Sequence, residues 1–279
     1  MAQFVSIMGM AHAPGVTGWI DACPQQDRDA IESGYTELGR IMAAAKPDII
    51  IGVGNDHLLN LPLKDPPHWR VDCAPEWDGP AEFFRDWLKQ PGYHVKGRPE
   101  IANLLADKLM EAGHKVDKGE GLLFDDNWSV PLWYLGYDVP ILPIHMNCIN
   151  PPTPEPADCI AFGREMRRIV REELPEDLRV GLMATGGLSH EPGGPRYFTM
   201  DPTFDNWFLD LMEEGDAERV MREATIERMN DAGGGGTTEL LAWMVALAAA
   251  GETSGRKAFY VASNEMRCGI GASVWEEFA

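Results

Sequence analysis

The chain has 279 residues, with 24 Lys and Arg against 44 Asp and Glu, and a formal net charge of −20. That balance leaves nothing to neutralise phosphates, so it argues against nucleic acid as a partner and against an anionic membrane surface. Hydrophobic residues make up 44% of the chain, enough for a sizeable core in one large α/β domain or two small ones.

In chain order, residues 3–9 read as a first strand and residues 10–25 as a loop carrying His12, Pro14, Gly15 and Pro24. A helical period over 26–45 brings Ile31, Leu38, Ile41 and Met42 to one side, and Lys46-Pro47 ends it. Ile49-Ile50-Ile51-Gly52-Val53-Gly54 is an unbroken apolar run, the pattern of a strand buried on both faces. It runs directly into Asn55-Asp56-His57. In open α/β sheets ligands bind at the carboxyl ends of such strands, so His57 and His12 are candidates for one shared site. Residues 58–80 contain Pro62, Pro66, Pro67, Pro75 and Pro80 and read as a long irregular loop, a lid or a binding wall.

Short and longer helices follow over 81–89 and 98–113. Gly121 to Trp128 reads as a strand end or loop leading into a short helix from Val130-Pro131. Val139 to Ile144 reads as a buried strand, residues 151–156 as a proline-rich linker, and 157–174 as a helix. Arg179 to Thr185 is a further strand, breaking at Gly186-Gly187-Leu188-Ser189-His190. Residues 203–230 read as helical and charged, Gly233 to Gly236 as a hinge, Thr237 to Ala250 as a helix and Lys257 to Ala262 as the last strand. The longest apolar run, Leu240 to Ala250, is too short to span a bilayer. Alternating elements with no break in composition predict one domain over residues 1–279, an α/β fold with a mixed central sheet flanked by helices on both faces. Five cysteines without a C-x-x-C pair suit a reducing, cytoplasmic setting, and the N-terminus has no basic region of a signal peptide.

Four residues at element ends or starts stand out: His12, His57, His190 and Glu239. Two histidines and a carboxylate from separate elements can form a facial triad on ferrous iron, leaving positions for substrate and oxygen. The same donors could hold zinc for hydrolysis. No H-E-x-x-H motif supports either metal, and Glu239 has a purely local reason to sit in the first turn of its helix. What favours a site is that His12, His57 and His190 all follow strands. His68, His94 and His114 read as incidental, while His145, after a buried strand, is harder to dismiss. Ser189 lies in no G-x-S-x-G elbow, and Gly186-Gly187 in no G-x-G-x-x-G loop.

Met10-Ala11-His12-Ala13-Pro14, Asn55-Asp56-His57, Val130-Pro131-Leu132, Thr185-Gly186-Gly187-Leu188-Ser189-His190 and Thr238-Glu239-Leu240 with Trp243 occur in one order along the chain. Together they resemble the class III extradiol ring-cleaving dioxygenases, the family of the protocatechuate 4,5-dioxygenase catalytic subunit. The resemblance implies that His12, His57 and Glu239 bind Fe(II), and that His190 accepts a substrate proton and later assists O–O cleavage. It implies a catechol-type aromatic substrate, O2 as co-substrate, and a homo-oligomer with or without a small second subunit. A zinc hydrolase and a non-catalytic partner subunit are the alternatives. One position departs from the pattern. The family usually has a second histidine where this chain has Asp126, or Asn127 if the alignment shifts by one residue. An ionised Asp126 facing the ring would favour an aminophenol, a dihydroxypyridine or an uncharged diol. An arginine such as Arg196 or Arg267 could override that, or Asp126 could turn away and cap the helix near Val130.

Overall fold

Ten strands run in chain order: β1 (Gln3–Met10), β2 (Ile49–Asn55), β3 (Trp69–Asp72), β4 (Glu76–Gly79), β5 (Tyr93–Lys96), β6 (Val116–Gly119), β7 (Ile141–Met146), β8 (Arg179–Thr185), β9 (Arg256–Ser263) and β10 (Cys268–Trp275). They come from a computed structural model, which describes residues 1–276. Eight of them form one sheet in the order β6-β3-β7-β2-β8-β1-β10-β9, and β4 pairs with β5 apart from it. The middle, β7-β2-β8-β1, is parallel, and β10 and β9 continue antiparallel from β1.

All of β2 is buried, and its alternate residues point into two different cores. Ile49, Ile51 and Val53 join a core with the helices Pro99–Glu111, Pro156–Glu172, Pro202–Glu214 and Leu241–Ala249. Ile50 joins Met8, Met10 and Met183 against the helices Gln25–Ala45 and Asp126–Leu135. This is the expected α/β architecture, a mixed sheet with helices on both faces. The Trp243 ring closes the first core over β1. A Cβ at Gly9 would lie 2.6 Å from that ring, so glycine lets the helix approach the strand.

Several elements differ from expectation. The stretch 58–80 contains β3 and β4, each only four residues long, too short for a periodic signal. The 203–230 segment is three helices. Gly215 ends the first in a left-handed conformation at φ 74°, and Asp216 and Thr225 cap the next two by accepting from the Arg219 and Arg228 amides. A final strand, β10, follows the one expected to be last. The helix expected from Val130 begins at Asp126, because Asp125 caps it by accepting from the Asn127 amide. Gly233–Gly236 is a turn packed on His190, not a free hinge: a Cβ at Gly236 would lie 2.6 Å from the His190 ring. Among the described residues no helix is long and apolar enough to cross a membrane. All five cysteines are free and buried.

Candidate metal centre and substrate cavity

β1 and β2 flank β8, so the residues after them emerge at the same end of the sheet. His12 and His57 meet there, with ring centroids 5.2 Å apart. Glu239 reaches them from a 3-10 turn, Thr237–Leu240, that leads into the helix above. This turn packs tightly on the loop after β8: a Cβ at Gly186 would lie 2.5 Å from the Glu239 carbonyl oxygen. The Gly187 amide donates to Glu239 Oε2 at 2.8 Å. The same carboxylate then faces three imidazoles, His12 Nε2 at 3.3 Å, His57 Nε2 at 3.3 Å and His190 Nε2 at 3.5 Å.

The partner of each ring's second nitrogen decides what the first can do. His57 Nδ1 lies 2.9 Å from Asp125 Oδ2, and an ionised carboxylate only accepts. Nδ1 therefore carries a proton, and in the neutral ring the Nε2 lone pair faces the cavity, the arrangement metal-binding histidines favour. In His190, Nδ1 donates to the Leu188 carbonyl at 2.7 Å, which again leaves Nε2 facing inward. His12 Nδ1 is buried without a partner.

Burial opposes every charge in this cluster, and the neighbouring groups decide the outcome. It lowers the His12 pKa. In His57 it is outweighed by Asp125 and Asp126, which hold the imidazolium well above the usual range. In His190 it is outweighed by Cys268 and Glu239, with the same result. Glu239 would be raised by burial, but His12 and His190 pull it well below the ordinary carboxylate range. The cluster is thus a buried anion surrounded by imidazoles, a setting in which a cation can share the carboxylate.

The residues fit a first-row metal ion. Two donors each about 2.1 Å from a common ion, at roughly right angles, stand about 3.0 Å apart. The 3.3 Å spacings from Glu239 to His12 and His57 need little adjustment to meet that. Imidazole nitrogen with carboxylate oxygen suits iron, zinc or manganese. A second carboxylate competes for the same place. Donor atoms of His12, His57 and Asp126 all lie within 4.8 Å of one another.

Asp126 sits in the first turn of its helix, buried, with its carboxylate 3.5 Å from His57 Nδ1 and on the cavity wall. It does not turn away to act as the cap, which is the role of Asp125. Asn127 points into the interior. It accepts from the Asn55 amide at 3.2 Å and from the Thr185 hydroxyl, and donates to the Asn55 carbonyl at 3.0 Å. His145 lies within β7 behind the site, where burial pushes it down to about 3, so it is a neutral acceptor for the Trp128 indole N–H at 3.1 Å. His68, His94 and His114 are absent from the cavity lining.

The cavity has a volume of about 370 Å³, the scale of small-ligand pockets. Trp19, Leu58, Phe84, Trp87 and Met266 give it apolar walls, and Arg267 and Cys268 line it from the turn before β10 and the start of that strand. Asp125 was missed as a functional residue, although an Asp just before an apolar helix is a readable cap signal. Cys268 was missed with β10 itself.

The family model described as the catalytic LigB subunit of aromatic ring-opening dioxygenase matches residues 6–271. A gallate dioxygenase of Pseudomonas putida is 31% identical over 139 residues, 50% of this chain and 37% of its own length. A 2,3-dihydroxyphenylpropionate/2,3-dihydroxicinnamic acid 1,2-dioxygenase of Comamonas testosteroni is 29% identical over 203 residues, 71% of this chain and 59% of its own length. The chain thus spans less than two thirds of the length of these two relatives. The crystal structure of an uncharacterized protein from Escherichia coli K12 superposes with a TM-score of 0.61 at 15% identity, covering 97% of this chain and 99% of the other, a likeness of fold.

Proposed function

The chain belongs to the family of catalytic subunits of aromatic ring-opening dioxygenases, and from that premise we propose that it is an Fe(II)-dependent extradiol enzyme. It opens a small catechol-type ring and incorporates both atoms of O2. The observation that carries this reading is the convergence of His12 Nε2, His57 Nε2 and the Glu239 carboxylate, at 3.3 Å spacings, in a cavity of about 370 Å³.

His12, His57 and Glu239 would hold the iron. When bound, the iron supplies the electrons that ground-state oxygen needs and that no ordinary side chain can give. Asp125 fixes the His57 ring and its tautomer, and the Gly187 amide steadies Glu239. His190, with Nδ1–H held by the Leu188 carbonyl, presents Nε2 to the cavity as the base in its neutral form. His190 then takes the proton of a ring hydroxyl on Nε2 and returns it as the ring opens. Trp19, Phe84 and Trp87 keep bulk water from the reacting ring. The reading also makes the protein a cytoplasmic oligomer, with or without a small second subunit. Its five free thiols suit a reducing compartment.

The test is anaerobic loading with Fe(II), metal analysis, and an oxygen-uptake screen across catechols, aminophenols and dihydroxypyridines. One iron per chain with stoichiometric oxygen uptake is the expected result. Zinc in the purified protein with hydrolysis and no oxygen uptake would favour a hydrolase. A chain that takes up no metal would be a non-catalytic partner.

A further inference from the structure

Beyond the donor cluster, the cavity contains one cation that metal binding and proton transfer leave unused. Arg267 is the only Lys or Arg among its described lining residues. It stands in the turn between β9 and β10 at φ 62°, its amide donating to the Ser263 and Asn264 carbonyls at 3.0 and 3.2 Å. That left-handed region favours glycine. Arg267 takes the left-handed position that closes the hairpin turn, and its side chain reaches the cavity lining from there.

Aromatic rings surround the guanidinium. Its carbon lies 4.8 Å from the Tyr197 ring, 5.3 Å from Phe198 and 5.5 Å from Trp19, and one nitrogen donates to the Tyr197 hydroxyl at 2.5 Å. These rings steady the cation and exclude water from it. None of them neutralises it, and no described carboxylate forms an ion pair with it. Arg196, the other arginine of interest, is engaged elsewhere: its Nε donates to Glu191 at 2.9 Å and its Nη2 to the Asn230 carbonyl at 2.9 Å. In a chain of net charge −20, a half-buried arginine facing a cavity without a counter-ion is a place prepared for an anion.

We propose that Arg267 binds the carboxylate of the substrate, which makes the enzyme selective for ring diols bearing an acidic substituent. This rests on the ring-opening reading above. A planar guanidinium meets a carboxylate through two parallel N–H···O bonds, which a lysine cannot reproduce. Asp126 opposes an anion, but it belongs to a different wall, against His57, whereas Arg267 stands against Trp19 and Tyr197. Aminophenols and dihydroxypyridines, whose N–H would suit Asp126, are the competing class.

Two measurements on the full chain test the proposal. In the first, the Fe(II)-loaded protein and Arg267→Gln are compared on 3,4-dihydroxybenzoate, 2,3-dihydroxyphenylpropionate, 4-methylcatechol and 2-aminophenol. The ratio of kcat/KM for the preferred acid to that for 4-methylcatechol should fall by roughly 10- to 100-fold in the variant, as loss of a charge-assisted pair predicts. The change should appear in KM, and Arg267→Lys should recover part of it. In the second, calorimetry on the metal-free protein should find the acid bound more tightly than 4-methylcatechol, with the difference gone in Arg267→Gln. A wild type that prefers 4-methylcatechol or 2-aminophenol to both acids overturns the assignment, as does a variant whose ratio matches wild type. A wild type that opens none of the rings overturns the ring-opening reading and this proposal with it.

Discussion

His12 and His57 follow β1 and β2, parallel strands joined through β8 and almost wholly buried. Across the cavity, Arg267 and Cys268 come from an antiparallel hairpin whose outer strand, β9, is the edge of the sheet. The first wall can move only if the two cores move with it. The second is anchored by Met266 and Cys268 in the core around Ile50, while the half-buried Arg267 between them projects from the turn to the cavity. The contrast separates the proposed metal donors, carried at the ends of deeply buried strands, from the proposed selector of the ring, carried on a turn.

The largest effects should therefore come from the rigid wall. Glu239→Ala should empty the site, with iron per chain falling to near background by elemental analysis and oxygen uptake lost. Asp126→Ala should retain iron. The reverse outcome would make Asp126 the third donor and Glu239 an anchor. His190→Phe should keep iron and bind substrate, yet lower kcat by roughly two to four orders of magnitude, the usual size of an acid/base contribution. Loss of iron from that variant would make His190 a ligand instead. Asp125→Asn, which removes the acceptor holding His57 Nδ1–H, should weaken iron affinity by roughly 10- to 100-fold in a chelator competition.

How much of this was legible in the sequence follows from the same contrast. β2 was readable because an unbroken apolar run has few other uses, and the histidines were readable because they follow such runs. The hairpin wall was obscured. β10, Cys-Gly-Ile-Gly-Ala-Ser-Val-Trp, is buried on both faces but rich in glycine, so neither alternation nor a continuous bulky run marks it. β3 to β6, at four residues each, fall below the length at which a period can be counted. Arg196 and Arg267 were equivalent candidates on paper. Only folding shows that Glu191 occupies one and leaves the other facing the cavity. Asp126 was also ambiguous, because one residue's shift separates a cavity wall from the Asn55–Asn127–Thr185 network.

The smallest expected effect lies where the two walls are tied together. Asp205 accepts from the Ser189 amide at 2.7 Å, the Ser189 hydroxyl at 2.9 Å and the Tyr260 hydroxyl at 2.7 Å, linking the His190 loop to β9. Burial lifts its carboxyl to about 6 from an ordinary 3.8, so the folded state holds the proton more tightly than the unfolded chain does. Below about pH 4 both states are protonated and folding keeps the full advantage. Between about pH 4 and 6 that advantage is lost as pH rises. The melting temperature of wild type relative to Asp205→Asn should accordingly decline across that window and level off above it. A difference that is flat from pH 4 to 7 would mean that Asp205 titrates normally.

Asp125 gives one oxygen to the amide of Asn127 at the head of a helix and the other to His57 Nδ1. A single carboxylate thus fastens a piece of backbone and aims the His57 ring, the proposed metal donor. Two equilibria that look separate, closure of that helical turn and capture of the cation, share a term in their free energies. By reciprocity, whatever metal capture contributes to the turn, the turn returns to metal capture. On the proposed function, removal of the metal should loosen this corner first, which ties the closure of one edge of the fold to the occupancy of the site.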